Sequence, residues 1–233
     1  MPKQIPLAEQ IERRILPAAH LRAAKKDEKD VIEGQSAVFG QYSEDLGGFV
    51  EIIEPGFFDG TLEGDTRALF NHDSNYVLGR TTAGTLELEQ DDAGLNCRIY
   101  PPETTWARDL LISIRRGDIT QQSFGFMVKR LERGDEMDGD EWYVLGDKIV
   151  HRLKKGGCRE LFDVSPVTYP AYPQTNVAAD TRSRFETFRK SNPEPQDELP
   201  GGSPSAEPQA DEAAQQQALR ASRQRRMDLA EKS

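Results

Sequence analysis

The large apolar side chains of this chain stop abruptly, and where they stop limits what it can fold. No aromatic residue follows Phe188, and beyond Ser191 the only large aliphatic side chains are Leu199, Leu219, Met227 and Leu229. So few cannot offset the ordering entropy of a packed domain. Pro193, Pro195, Pro200, Pro204 and Pro208, with Gly201-Gly202, further break any regular element there. Residues 186–209 therefore read as an acidic, Pro/Gly-rich linker. Residues 210–233, rich in Ala, Gln, Glu and Arg without Gly or Pro, read as a tail able to become helical when it has a surface to pack on. Dilution by this segment accounts for an apolar fraction of 36%, where about 45–50% is usual.

Charge and cysteine usage exclude whole classes of function. With 30 basic against 40 acidic side chains the net charge is −10, so no nucleic-acid partner is expected: the chain would repel a polyanion before binding it. Cys97 and Cys158 are the only cysteines, and His20, His72 and His151 lie far apart. A disulfide framework and a structural zinc site are both disfavoured. The first residues lack the apolar run of a signal peptide, and Leu110-Leu111-Ile112 with Ile114 is too short to span a bilayer. The expectation is a soluble chain of a reducing cytoplasm, with no membrane partner.

Within the first 185 residues the pattern is mostly that of strands. Leu7, Ile11 and Ile15 recur at helical spacing before Pro17, which predicts an N-terminal helical extension over 1–19. From residue 20 to 185 the alternation changes to period two. Leu95, Cys97 and Ile99 oppose Asn96, Arg98 and Tyr100, and Asp91-Asp92-Ala93-Gly94 separates this run from Gly84-Thr-Leu-Glu-Leu-Glu, so a hairpin is predicted. Further strands are predicted at 31–39, 49–53, 124–131, 142–150 and 160–168. One helix interrupts them: Thr104 or Thr105 caps it, Trp106, Leu110 and Ile114 share a face, and Arg115, Arg116 and Gly117 end it. The predicted fold class is mainly β or α+β, an antiparallel β-barrel with flanking helices.

Three residues offer chemistry. His72 follows the apolar stretch Ala68-Leu69-Phe70, a strand-end position where a general base is often mounted and where a histidine more often only makes a backbone hydrogen bond. In Gln122-Ser123-Phe124-Gly125-Phe126, alternation sends the aromatics inward and Ser123 to the other face, with Gly125 leaving open space beside the hydroxyl. Asp163 lies between Phe162 and Val164, where a carboxylate must find a partner, catalytic or an ordinary arginine. Hydroxyl, imidazole and carboxylate together are the inventory of acyl transfer. A metal-dependent reading built on His72-Asp73 lacks a second His-Asp cluster.

The order of many short motifs carries a resemblance. Gly34-Gln-Ser-Ala-Val-Phe-Gly, Asp45-Leu-Gly-Gly-Phe-Val-Glu, Glu54-Pro-Gly-Phe-Phe, Asn71-His72-Asp73 and Leu78-Gly79-Arg80-Thr81 come first. Gly84-Thr-Leu, Asp92-Ala-Gly-Leu, Arg116-Gly117-Asp118, Ser123-Phe-Gly-Phe and Asp163-Val-Ser-Pro-Val-Thr-Tyr-Pro-Ala-Tyr-Pro follow. Collinear over roughly 20–180, the series resembles the HK97-type bacteriophage prohead proteases. The resemblance implies an assemblin-like fold, as in herpesvirus proteases, and a serine endopeptidase needing no metal or organic cofactor. Its implied partner is a major capsid protein precursor or scaffold, met inside the prohead in the host cytoplasm; a homodimer is left open. On these motifs the serine falls at Ser123 and the histidine at His72. The third member falls at Asp163, ahead of Glu160 or His151. The rival is a noncatalytic scaffolding or assembly protein that keeps the fold. The tail after 191 is expected to bind scaffold or capsid precursor and to be released by self-cleavage in the linker.

Overall fold

The computed structural model describes residues 11–16, 21–169 and 177–192. Three sheets carry them. One sets β1 (Glu12–Leu16), β9 (Gln121–Val128), β12 (Cys158–Val167), β5 (Arg67–Phe70) and β6 (Asp73–Arg80) side by side in that order. A second has the order β2 (Arg22–Lys26), β3 (Lys29–Val38), β8 (Gly94–Ile99), β7 (Leu86–Gln90). The third runs β10 (Asp140–Leu145), β11 (Lys148–Leu153), β4 (Val50–Ile53). The described residues also form two α-helices, α1 (Thr105–Arg116) and α2 (Ala179–Ser191). Neither is long and apolar enough to cross a membrane.

The mainly β expectation holds, whereas the closed antiparallel barrel is not what the ladders form. β12 pairs with β5, and β11 with β4, in parallel, and the described strands end in three open sheets. Parallel pairing needs a long crossover and brings together segments remote in the chain, which local alternation does not reveal. The expected helical extension is corrected over Glu12–Leu16, which is a strand on the edge of β9. Three apolar residues at helical spacing are a weak preference, and an open sheet edge with buried partners for Glu12 and Arg14 overrides it. The single strand expected at 142–150 is a hairpin, β10 and β11 joined by Gly146-Asp147, with Gly146 at φ 63°. The boundary placed at 185 falls inside α2. The linker and tail beyond 192 lie outside the described residues, as do residues 1–10 and 17–19 of the extension.

Elsewhere local chemistry and structure agree. The Asp91 carboxylate accepts from the N–H groups of Ala93 and Gly94 and closes the β7–β8 hairpin. Helix α1 buries Ala107, Leu110, Leu111 and Ile114, and ends where Gly117, at φ 82°, donates to the Ile114 carbonyl. Thr104 occupies the N-cap in extended conformation, although its hydroxyl makes no cap bond. The core lies between the first two sheets and α1. Phe124 and Phe126 of β9 meet Phe58 and Phe57 edge-on at 5.7 and 5.5 Å, and Ile32, Leu95 and Ile99 close the other side.

A buried charge network ties β1 and α2 to the third sheet. His151 on β11 is fully buried, with Nδ1 at 2.9 Å from Glu51 and Nε2 at 2.7 Å from Asp140. Both nitrogens face carboxylates, so only the imidazolium satisfies both. Arg14 forks onto Glu51 at 2.7 Å through two nitrogens and also reaches Glu12, which accepts from the N–H of Ala178 ahead of α2. On the far side Arg130 meets Asp140 and Asp180. Trp142 stacks on the His151 ring at 4.2 Å.

Burial opposes the charge on His151 and on Glu51, and the pairing outweighs it. The His151 ring is raised above its ordinary 6.5: burial lowers it, but hydrogen bonds from the ring to Asp140 and Glu51 more than reverse that. Glu51 is lowered from 4.5 to about 2, since Arg14 and His151 overcome the upward push of burial. A raised His contributes stability that is full below 6.5 and lost as pH rises through its folded value; a depressed Glu contributes stability that is full above 4.5 and lost as pH falls toward 2. Denaturant midpoints measured across pH are therefore expected to peak between these limits and decline on both sides. His151→Ala should cost about 3–5 kcal/mol at the optimum, because it takes a charged partner from each of two buried carboxylates, and should remove the alkaline decline.

Candidate active site

The site is built on neighbouring strands of the first sheet. On β9, Phe124 and Phe126 enter the core, so Ser123 and Gly125 share the opposite face. Antiparallel pairing sets Ser165 of β12 across from Ser123, and Asp163 across from Gly125. That placement of Asp163 depends on a bulge. Leu161 opposes Phe126 and Asp163 opposes Gly125, so two steps along β12 match one along β9, with Phe162 as the extra residue. Without it, Asp163 would fall opposite Phe124 and point into the apolar core. The bulge re-aims one carboxylate onto the serine's face.

His72 arrives from the next strand pair. Strands β5 and β6 are joined by Asn71-His72 alone, with Phe70 paired to Asp73 and φ at 54° and 57° for the two turn residues. This is the left-handed geometry that a two-residue hairpin of right-handed twist requires. Asn tolerates it; a histidine there costs about 1–2 kcal/mol. Hydrogen bonds to the end of β12 hold the turn. The Asn71 N–H donates to the Pro166 carbonyl, its side-chain amide donates to Thr168 Oγ1, and its side-chain oxygen accepts from the Thr168 N–H at 2.9 Å. The hairpin tip is thus fastened to the strand that carries Asp163.

The three candidates converge. His72 Nε2 lies 2.7 Å from Ser123 Oγ, and His72 Nδ1 lies 2.5 Å from Asp163 Oδ1. The carboxylate fixes the tautomer: Nδ1 carries the proton and Nε2 is left to accept from the serine hydroxyl. Ser123 is wholly buried, while the His72 and Asp163 side chains are 14% and 8% exposed. The two alternatives for the third position lie elsewhere. Glu160 is exposed further along β12, and His151 is locked between Glu51 and Asp140.

Over residues 18–190 the chain matches the family model described as caudovirus prohead serine protease. It belongs to that family. No curated protein and no solved structure matches it. The prohead serine protease match begins two residues after β1 ends and stops one residue before α2 ends, so it contains all three converging side chains.

Two features differ from what the linear motif suggests. The space above Gly125 is not open: a Cβ built there would stand 2.5 Å from Asp163 Oδ2 and 3.6 Å from Ile11 Cγ2. Glycine makes room for the carboxylate. Ser165 is also part of the cluster, its Oγ donating to Asp163 Oδ1 at 2.6 Å from a fully buried position. Its spacing of two from Asp163 in a strand is the signal that places both on one face. The Asn71 anchor had no such signal, since Thr168 is remote in sequence. Gly125→Ala should push the carboxylate off its position and cost about 1–3 kcal/mol of overpacking. Denaturant unfolding checks the cost, and the proton resonance of the His72–Asp163 hydrogen bond should shift or broaden.

Proposed function

We propose that the chain is a prohead maturation serine endopeptidase that cleaves a capsid or scaffold precursor, and itself, through Ser123, His72 and Asp163. The observation that carries the reading is the continuous hydrogen-bond relay from Ser123 Oγ through both nitrogens of His72 to Asp163 Oδ1. Side chains from three separate strands and turns meet in the order that acyl transfer requires.

The chemistry then runs as follows. His72 Nε2 takes the Ser123 proton as the oxygen adds to the scissile carbonyl carbon, and returns it to the departing amine. Asp163 stabilises the imidazolium formed between these steps. Water attacks the acyl-enzyme by the same relay in reverse and frees the new carboxylate. Backbone N–H donors facing the oxyanion would contribute about 3–4 kcal/mol each. Because Ser123 is wholly buried, a peptide reaches its hydroxyl only after surrounding residues give way. The protease's substrates would be the precursor packed beside it and its own acidic sequence beyond α2, where Pro193, Pro195, Pro200, Pro204 and Pro208 disfavour a regular element.

Labelling tests the site and coexpression tests the role. A fluorophosphonate should add to Ser123 of the purified protein, located by mass spectrometry, and labelling should vanish in His72→Ala. Coexpressed with its cognate capsid precursor, wild type should yield processed precursor and a shortened protease. Ser123→Ala should yield shells of uncleaved precursor with both chains at full length. Cleavage persisting in Ser123→Ala would overturn the assignment.

A further inference from the structure

The hydroxyl of Ser165 lies within the cluster but outside the three-residue relay. It is fully buried, and its one proton is directed at Asp163 Oδ1, the oxygen that also receives His72 Nδ1. Asp163 itself is almost fully buried, at 6% exposure. Among the described residues, His72 and Ser165 are the two side chains that hydrogen-bond to it.

We propose that Ser165 is a positioning residue for the protease reaction, acting through Asp163. The inference rests on the reading of Ser123, His72 and Asp163 given above. A carboxylate can turn about its Cβ–Cγ bond, and with His72 as its sole donor it would be held at one point only. The Ser165 hydroxyl supplies a second point on the same oxygen. Gly125 supplies the third constraint, since Oδ2 sits in the space where any other residue would place a Cβ. The ladder makes the arrangement rigid: Ser165 opposes Ser123 and Asp163 opposes Gly125, so nucleophile, carboxylate and both constraints occupy four adjoining positions on two hydrogen-bonded strands. Donation from Ser165 also gives the enclosed carboxylate a second hydrogen bond without drawing on the N–H of His72.

A double-mutant cycle on the full chain, read by fluorophosphonate labelling of Ser123, tests this. Ser165→Ala removes a single oxygen and leaves the strand pairing in place. The maximal labelling rate should fall about ten- to a hundredfold, the range for losing a hydrogen bond to a charged group. The concentration for half-maximal rate should stay within about twofold, because the reagent does not touch Ser165. In an Asp163→Ala background the same substitution should have no further effect, since the group it acts through is gone. Two results would overturn the proposal: Ser165→Ala labelling at the wild-type rate, or the same fold-loss with and without Asp163. Either leaves the wild-type reaction at Ser123 standing. Absence of wild-type labelling at Ser123 would instead remove the reading beneath it, and the proposal with it.

Discussion

The pairing of β9 with β12 is the constraint on which the site and much of the core depend. Each strand is buried along most of its length, and each has two occupations. One face of β9 gives Phe124 and Phe126 to the core, and the other carries Ser123 and Gly125. β12 gives Leu161 and Val164 to the core, then Asp163 and Ser165 to the opposite side. A strand of strict alternation could not place Leu161 and Asp163 on different faces, because they are two residues apart. The bulge at Phe162 resolves the conflict, and the same ladder that holds the aromatic core therefore fixes the spacing between serine and carboxylate.

What the sequence made legible were features with a local cause. The β7–β8 hairpin announces itself through alternation and an Asp-rich turn, and α1 through its apolar face and Gly117. Ser123, His72 and Asp163 were legible as motifs, although their convergence was not, since nothing local brings residues 72, 123 and 163 together. What was missed has causes spread across the chain. The parallel pairs β5–β12 and β4–β11 depend on crossovers. The strand at Glu12–Leu16 depends on an edge offered by residues more than a hundred positions away. Gly125 was legible as a gap, but a linear reading could not tell that the gap holds this chain's own carboxylate.

The strain at the His72 turn becomes intelligible from the same geometry. A histidine at φ 57° sits in a region that glycine favours, and the fold retains it through the Asn71 hydrogen bonds to Pro166 and Thr168. Those bonds run to β12, so the imidazole is referenced to the strand of its carboxylate partner. Strand β9, paired to β12 directly, brings the hydroxyl into the same frame. The three groups are positioned by one ladder and one fastened turn.

Among the described residues two histidines are enclosed, and their partners set them apart. His151 has a carboxylate on each nitrogen, so both must donate and the ring is satisfied only as the cation. Its proton is structural: losing it would leave a lone pair facing an anion inside the protein. His72 has a carboxylate on Nδ1 and a hydroxyl on Nε2. There the neutral ring satisfies both partners, donating to one and accepting from the other. It can also become cationic without breaking the contact to Asp163, because the proton gained comes along the hydrogen bond that Nε2 already accepts. Exchanging one acidic partner for a hydroxyl thus turns a histidine that must keep its proton into one that can take a proton and give it back.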